Sequence, residues 1–116
     1  MKRQEAEQAG RLAEDQAAQY FAQQGWQLLA KRRRTPVGEI DLIIRRPGLV
    51  AFVEVKWRRS AAGLADAIDE ARLTRVAAAV EAVAHEYAQP GDDLTVDVLL
   101  LAPGAEPRHI VNAWQP

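Results

Sequence analysis

The chain has 116 residues, the size of one domain, and 48% of them are hydrophobic, enough to build a core. It contains no cysteine, which excludes a disulfide framework and a thiolate metal site. Net charge is only −1, but residues 31–59 carry nine Lys and Arg against three acidic residues while the remainder is acidic; a local basic patch of this kind favours polyanions such as nucleic acid, or simply forms a solvated rim that discourages aggregation.

No internal repeat or low-complexity tract interrupts the chain. Residues 4–24 have Ala6, Ala9, Ala13, Ala17, Tyr20 and Phe21 at helical spacing, and Gly25 is a natural stop. The leading MKRQEAEQAGRLAEDQ has no apolar signal segment, and no apolar run approaches the roughly 20 residues of a membrane helix, so a cytoplasmic protein is expected. Residues 26–34, WQLLAKRRR, read as a strand ending in basic residues. GEIDLIIRRPGLVAFVEVKW (residues 38–57) reads as two strands, 39–45 and 50–57, joined at Pro47-Gly48. A second helix is expected over 64–88, with Leu64, Ile68, Val76, Ala79, Val80, Val83 and Tyr87 as its apolar stripe, until QPGDD breaks it. LTVDVLLLA (94–102) is an apolar strand and RHIVNAW (108–114) an edge strand. The first three strands suit an antiparallel meander, and the second helix is long enough to cross over to a parallel strand. The expectation is an α/β domain, a mixed β-sheet flanked by helices.

The hairpin register decides the chemistry. A two- or four-residue turn at Pro47-Gly48 pairs residues whose numbers sum to 95. Asp41 then opposes Glu54, Glu39 opposes Lys56 and Ile43 opposes Phe52, all on one face. The other face holds Ile40, Leu42, Ile44, Ala51, Val53, Val55 and Trp57, so Trp57 is expected to pack in the core. A three-residue turn would separate Asp41 from Glu54. Opposed carboxylates repel, and a divalent cation such as Mg²⁺, which takes one or two carboxylates plus water and phosphate oxygens, removes that conflict. Lys56 could orient a water or neutralise a phosphate. Metal, water and ammonium together suit phosphodiester hydrolysis, with the basic cluster holding the nucleic-acid backbone. The plainer alternative makes Glu39–Lys56 an ordinary cross-strand ion pair and Asp41 a strand-end charge. Asp97, inside an apolar strand, needs a partner, and Arg72 or Arg75 is the expected one. His85, His109, Trp26 and Trp114 are assigned structural places.

Gly38-Glu39-Ile40-Asp41 followed by Val53-Glu54-Val55-Lys56 resembles the YraN family of small bacterial proteins. Gly10, Glu14, Ala17, Tyr20 and Gly25, the Ala-rich second helix, Val96-Asp97-Val98, Ile110 and Ala113-Trp114 extend the resemblance over nearly the whole chain. That family looks like the Holliday-junction-resolvase-type members of the PD-(D/E)xK nuclease-like superfamily. The resemblance implies one restriction-endonuclease-like domain over residues 1–116. It also implies a Mg²⁺- or Mn²⁺-dependent endonuclease acting on DNA. Asp41 and Glu54 match the metal-binding carboxylates and Lys56 the catalytic lysine. Glu14 matches an acidic residue that often completes such sites, and Glu39 is characteristic of the motif. Arg72 and Arg75 fall where a Lys followed by Arg is common, Arg32 where Asn is frequent, and Arg34 matches the usual Arg. Lys31, Arg32, Arg33, Arg34, Arg58, Arg59, Arg72 and Arg75 are the expected nucleic-acid contacts. A branched substrate needs two cuts, which makes a homodimer a hypothesis. The alternative is a non-catalytic module that keeps the nuclease-like fold and binds nucleic acid or a partner protein.

Overall fold

A computed structural model of the chain describes residues 3–60 and 68–115. A helix, α1 (Arg3–Gln23), precedes three strands, β1 (Gln27–Thr35), β2 (Gly38–Arg46) and β3 (Leu49–Trp57). Helix α2 (Glu70–Val83), extended by a 3₁₀ turn at Ala84–Glu86, leads to β4 (Asp93–Leu101) and the short β5 (Arg108–Ile110). The five strands form one mixed sheet in the order β1-β2-β3-β4-β5. All neighbours are antiparallel except β3 and β4, which are parallel and joined through the chain segment containing α2. This is the expected α/β architecture of meander, crossover and return strand.

Each face of the sheet buries one core. On the α1 side, Ala13, Ala17 and Phe21 pack with Trp26, Leu42, Ile44, Ala51, Val53, Leu99 and Leu101. On the α2 side, Leu73, Val76, Ala79, Val80 and Val83 pack with Ile43, Val50, Phe52, Val96, Val98 and Leu100. Covering both faces explains why the central strands are apolar at nearly every position.

Local chemistry sets the ends of these elements. Gly25 adopts φ 89° after α1, Trp26 N–H donates to Phe21 O at 3.0 Å and Gly25 N–H donates to Ala22 O. These bonds and the edge-on packing of Trp26 against Phe21 make a Schellman close that delivers Trp26 into the core. At Pro47-Gly48, Arg46 pairs with Leu49 and Gly48 takes the positive φ, 79°, that the third position of a type II turn requires. Asp69 caps α2, its Oδ1 accepting from Ala71 and Arg72 N–H.

Three expectations are corrected. Ile68 and Asp69 precede α2, so the helix begins later than expected; Leu64 and the expected helix start lie outside the described residues, as does the Ala6 side chain. The last strand is three residues, not seven, because Val111 and Asn112 turn away, with Asn112 at φ 55°. Asp97 is fully buried, but its partners are His109 Nε2 at 2.7 Å and Asn112 N–H at 2.9 Å rather than Arg72 or Arg75.

Candidate metal and nucleic-acid site

The β2–β3 ladder runs from Arg46↔Leu49 to Leu42↔Val53, with the expected sum of 95, and stops there. Beyond it β2 slips. Ile40 packs with Ile43 on the α2 side, while Leu42 and Ile44 pack on the α1 side. Side chains 40 and 43 share a face only if regular alternation fails between them. The expected grouping of Ile40 with Leu42 is therefore corrected.

The neighbouring strand is irregular at the same rung. Lys31↔Leu42 and Arg33↔Ile40 bracket Arg32 and Asp41, and Arg32 adopts φ 50°, a left-handed conformation uncommon for a long side chain. Lys31 and Arg32 both reach α1, binding Asp15 at 2.8 Å and Glu14 at 2.9 Å. Arg33 turns the other way, to Glu86 and the Tyr87 hydroxyl. Asparagine tolerates this backbone better than arginine.

These irregularities gather carboxylates at one end of the sheet. One oxygen each from Glu14, Glu39 and Asp41 lies within 4.8 Å of the others. The first helix thus brings Glu14 to the motif aspartate. Asp41 is buried, and its Oδ2 accepts from Val55 N–H at 2.8 Å. Burial first, then the charge of Glu54, raises its pKa to about 8; the charge of Glu14 adds to the rise, while the Val55 bond and Arg72 oppose it.

Glu54 stands beside this trio, tied to the α2 side. Its Oε1 accepts from Arg72 Nε at 2.7 Å and lies 3.6 Å from Lys56 Nζ. Its Oε2 is buried with no hydrogen-bond partner among the described residues. Lys56 therefore meets Glu54 rather than Glu39, and Glu39 instead lies 3.7 Å from Arg34 Nε. A buried Asp41 whose pKa is raised, beside a buried Glu54 with an unsatisfied oxygen, is a donor set that could hold a hard divalent cation.

The expected backbone contacts divide into two groups. Lys31, Arg32, Arg33 and Arg72 are ion-paired to Asp15, Glu14, Glu86 and Glu54. Arg34 is almost fully exposed beside Glu39, and Arg59 and Arg75 are exposed. Arg58 donates to the carbonyl of Trp57. Arg58, Arg59 and Arg75 have no carboxylate partner among the described residues. Trp57 is not core: it is 38% exposed at the end of β3. No helix among the described residues is long and apolar enough to cross a membrane.

Residues 13–101 match the model of uncharacterised protein family UPF0102. The chain is 62% identical to a UPF0102 protein of Erythrobacter litoralis and 53% identical to one of Sphingopyxis alaskensis, each over the full length of both chains. It is 48% identical to a UPF0102 protein of Rhizorhabdus wittichii, covering 94% of this chain and 92% of the relative. The matched span contains the acidic trio, Glu54 and Lys56, and the chain belongs to family UPF0102, the bacterial YraN family.

Proposed function

We propose that this protein is a metal-dependent endonuclease that hydrolyses DNA phosphodiester bonds, with branched DNA as the preferred substrate. The observation that carries the reading is the meeting of Glu14, Glu39 and Asp41 oxygens within 4.8 Å, beside a buried Glu54 held near Lys56. Asp41 and Glu54 are the principal ligands for Mg²⁺ or Mn²⁺, and Glu14 and Glu39 complete the set. A bound divalent ion supplies Lewis acidity and lowers the pKa of the attacking water. Lys56 holds a positive charge where the nonbridging phosphate oxygens arrive and orients the water. Glu54 keeps Lys56 in place, and Arg72 supplies a second positive charge on the same carboxylate. Arg72 does not act as a base, because a guanidinium keeps its proton. Arg34, Arg58, Arg59 and Arg75 are the cations best able to follow the phosphate backbone. A substrate needing two symmetrical cuts calls for two copies of the chain.

The ion pairs Arg32–Glu14 and Arg72–Glu54 favour a second reading. Both neutralise carboxylates without a metal ion, as a non-catalytic binding module would. Cleavage of labelled duplex, single-stranded, flapped and four-way-junction DNA by wild type and Glu54→Ala, in Mg²⁺, Mn²⁺ or EDTA, separates the two. Metal-dependent cutting that disappears in Glu54→Ala supports the nuclease. Salt-sensitive binding without cutting, retained or strengthened in Glu54→Ala, supports the module.

A further inference from the structure

An open groove of about 480 Å³ lies between α1 and the segment 101–107 that follows β4. Its helix wall is Gln16, Gln19, Tyr20 and Gln23, and its floor includes Trp57. The three glutamines are exposed and recur at helical spacing, so they present amide donors and acceptors along one wall. Trp57 offers an exposed indole at the end of a strand whose central residues are buried. This combination suits a flat, polar-edged heteroaromatic ring: a π face to stack on, and amides to bond its edge. The volume is ample for a ring of that kind.

The place of the groove identifies the ring. Antiparallel β2 begins at Gly38, and parallel β3 and β4 end at Trp57 and Leu101. Glu39, Asp41, Lys56 and Trp57 therefore occupy one end of the sheet. Trp57 is three residues beyond Glu54, about 10 Å along the strand, and Arg58 and Arg59 follow it. We propose that the groove receives an unpaired nucleobase of the DNA strand, stacked on Trp57 and bonded by Gln16 and Gln19, so that the protein selects DNA with a base outside the duplex. The proposal rests on the nucleic-acid reading above and specifies its substrate.

The test measures binding in EDTA, where cutting plays no part. The probes are a 20-base-pair duplex, the same duplex with one extra unpaired 2-aminopurine, and that duplex with an abasic residue at the extra position. Wild type should bind the 2-aminopurine probe about tenfold more tightly than the duplex, with its fluorescence quenched by stacking. The abasic probe should bind like the duplex. Trp57→Ala should lose the tenfold preference and the quenching while keeping its affinity for duplex. The double variant Gln16→Ala/Gln19→Ala, on an exposed helix face, should lose most of the preference and serves if Trp57→Ala does not fold. Equal binding of the abasic and base-bearing probes by wild type overturns the proposal, as does an unchanged preference in either folded variant. Base-dependent binding with no cleavage in Mg²⁺ sustains the groove and removes the nuclease reading. Cleavage without base-dependent binding removes the groove alone, and no binding to any probe removes both.

Discussion

Burial and the charges of Glu54 and Glu14 place the Asp41 carboxyl at a pKa of about 8, so near neutral pH the folded protein keeps a proton that the unfolded chain has lost. The sign follows from linkage. A carboxyl raised on folding stabilises fully below its unfolded pKa of about 3.9, and that contribution falls as pH rises toward about 8. Asp41→Asn removes the titrating group and keeps the acceptor for Val55 N–H. Its melting temperature without metal at pH 8 should exceed that of wild type, on the order of 5 °C, and vary less with pH between 5 and 8. Melts followed by circular dichroism check this, and the same variant should lose any stabilisation by Mg²⁺. Arg32 poses the converse case. Arg32→Asn relaxes a left-handed backbone, a gain of about 1 kcal/mol, and gives up a partly exposed ion pair worth about the same or less. Stability should change by less than about 1 kcal/mol, while freeing Glu14 should tighten Mn²⁺ binding severalfold in calorimetric titration. A weaker Mn²⁺ affinity would mean that Arg32 holds Glu14 in its ligand position rather than competing for it.

Among the described residues, helix α2 is bonded to the site through Arg72 on Glu54. Arg72→Met should leave Glu54 buried with Lys56 as its remaining ion-pair partner among the described residues. Because the Arg72 side chain is 41% exposed, the expected loss is about 1–3 kcal/mol rather than that of a fully buried pair. Urea denaturation should show this loss in EDTA and a smaller one in Mg²⁺, since a cation can replace the guanidinium. That contact was half legible in the sequence: Arg72 could be singled out by its motif position, but its assigned partner, Asp97, sits on the opposite face of the sheet. The elements were more legible than the contacts. Apolar runs located β2, β3 and β4, and a two- or four-residue turn at Pro47-Gly48, one of the alternatives open in the sequence, is the one that matches the observed register. The break in alternation at Asp41 was not legible, because a strand irregularity leaves no mark in an apolar run. Trp57 was misplaced for a related reason: alternation names a face, and it cannot tell that the strand runs out beyond the helix covering that face. Asp97 found His109, a residue with no motif signal, because β5 pairs with β4 across twelve residues of sequence.

At the scale of the whole molecule, the positive region from 31 to 59 is less available than its composition suggests. Lys31, Arg32 and Arg33 pin β1 to α1 and to the turn after α2, and Arg45 is bound to Asp92 at the opposite end of the sheet. Arg46 lies 4.3 Å over the Trp26 ring, also away from the carboxylates. What remains of that region is Arg34, Arg58 and Arg59, with Lys56 held by Glu54, and exposed Arg75 on α2 adds a further cation. Counterion release makes the logarithm of the binding constant fall with the logarithm of salt concentration, with a slope of about −0.9 per phosphate neutralised on duplex DNA. The exposed Arg34 with Arg58, Arg59 and Arg75, which have no carboxylate partner among the described residues, predict a slope of about −3.6, whereas engaging Lys31, Arg32, Arg33, Arg45 and Arg46 as well would give about −8. Fluorescence anisotropy of a labelled duplex in EDTA, from 50 to 200 mM salt, is expected to distinguish these. Arg59→Ala and Arg75→Ala should each flatten the slope by about one. Lys31→Ala should leave it unchanged and instead loosen α1 from β1. A wild-type slope near −8 would mean that the ion pairs to Asp15, Glu14 and Glu86 open on binding, and that α1 moves when DNA arrives.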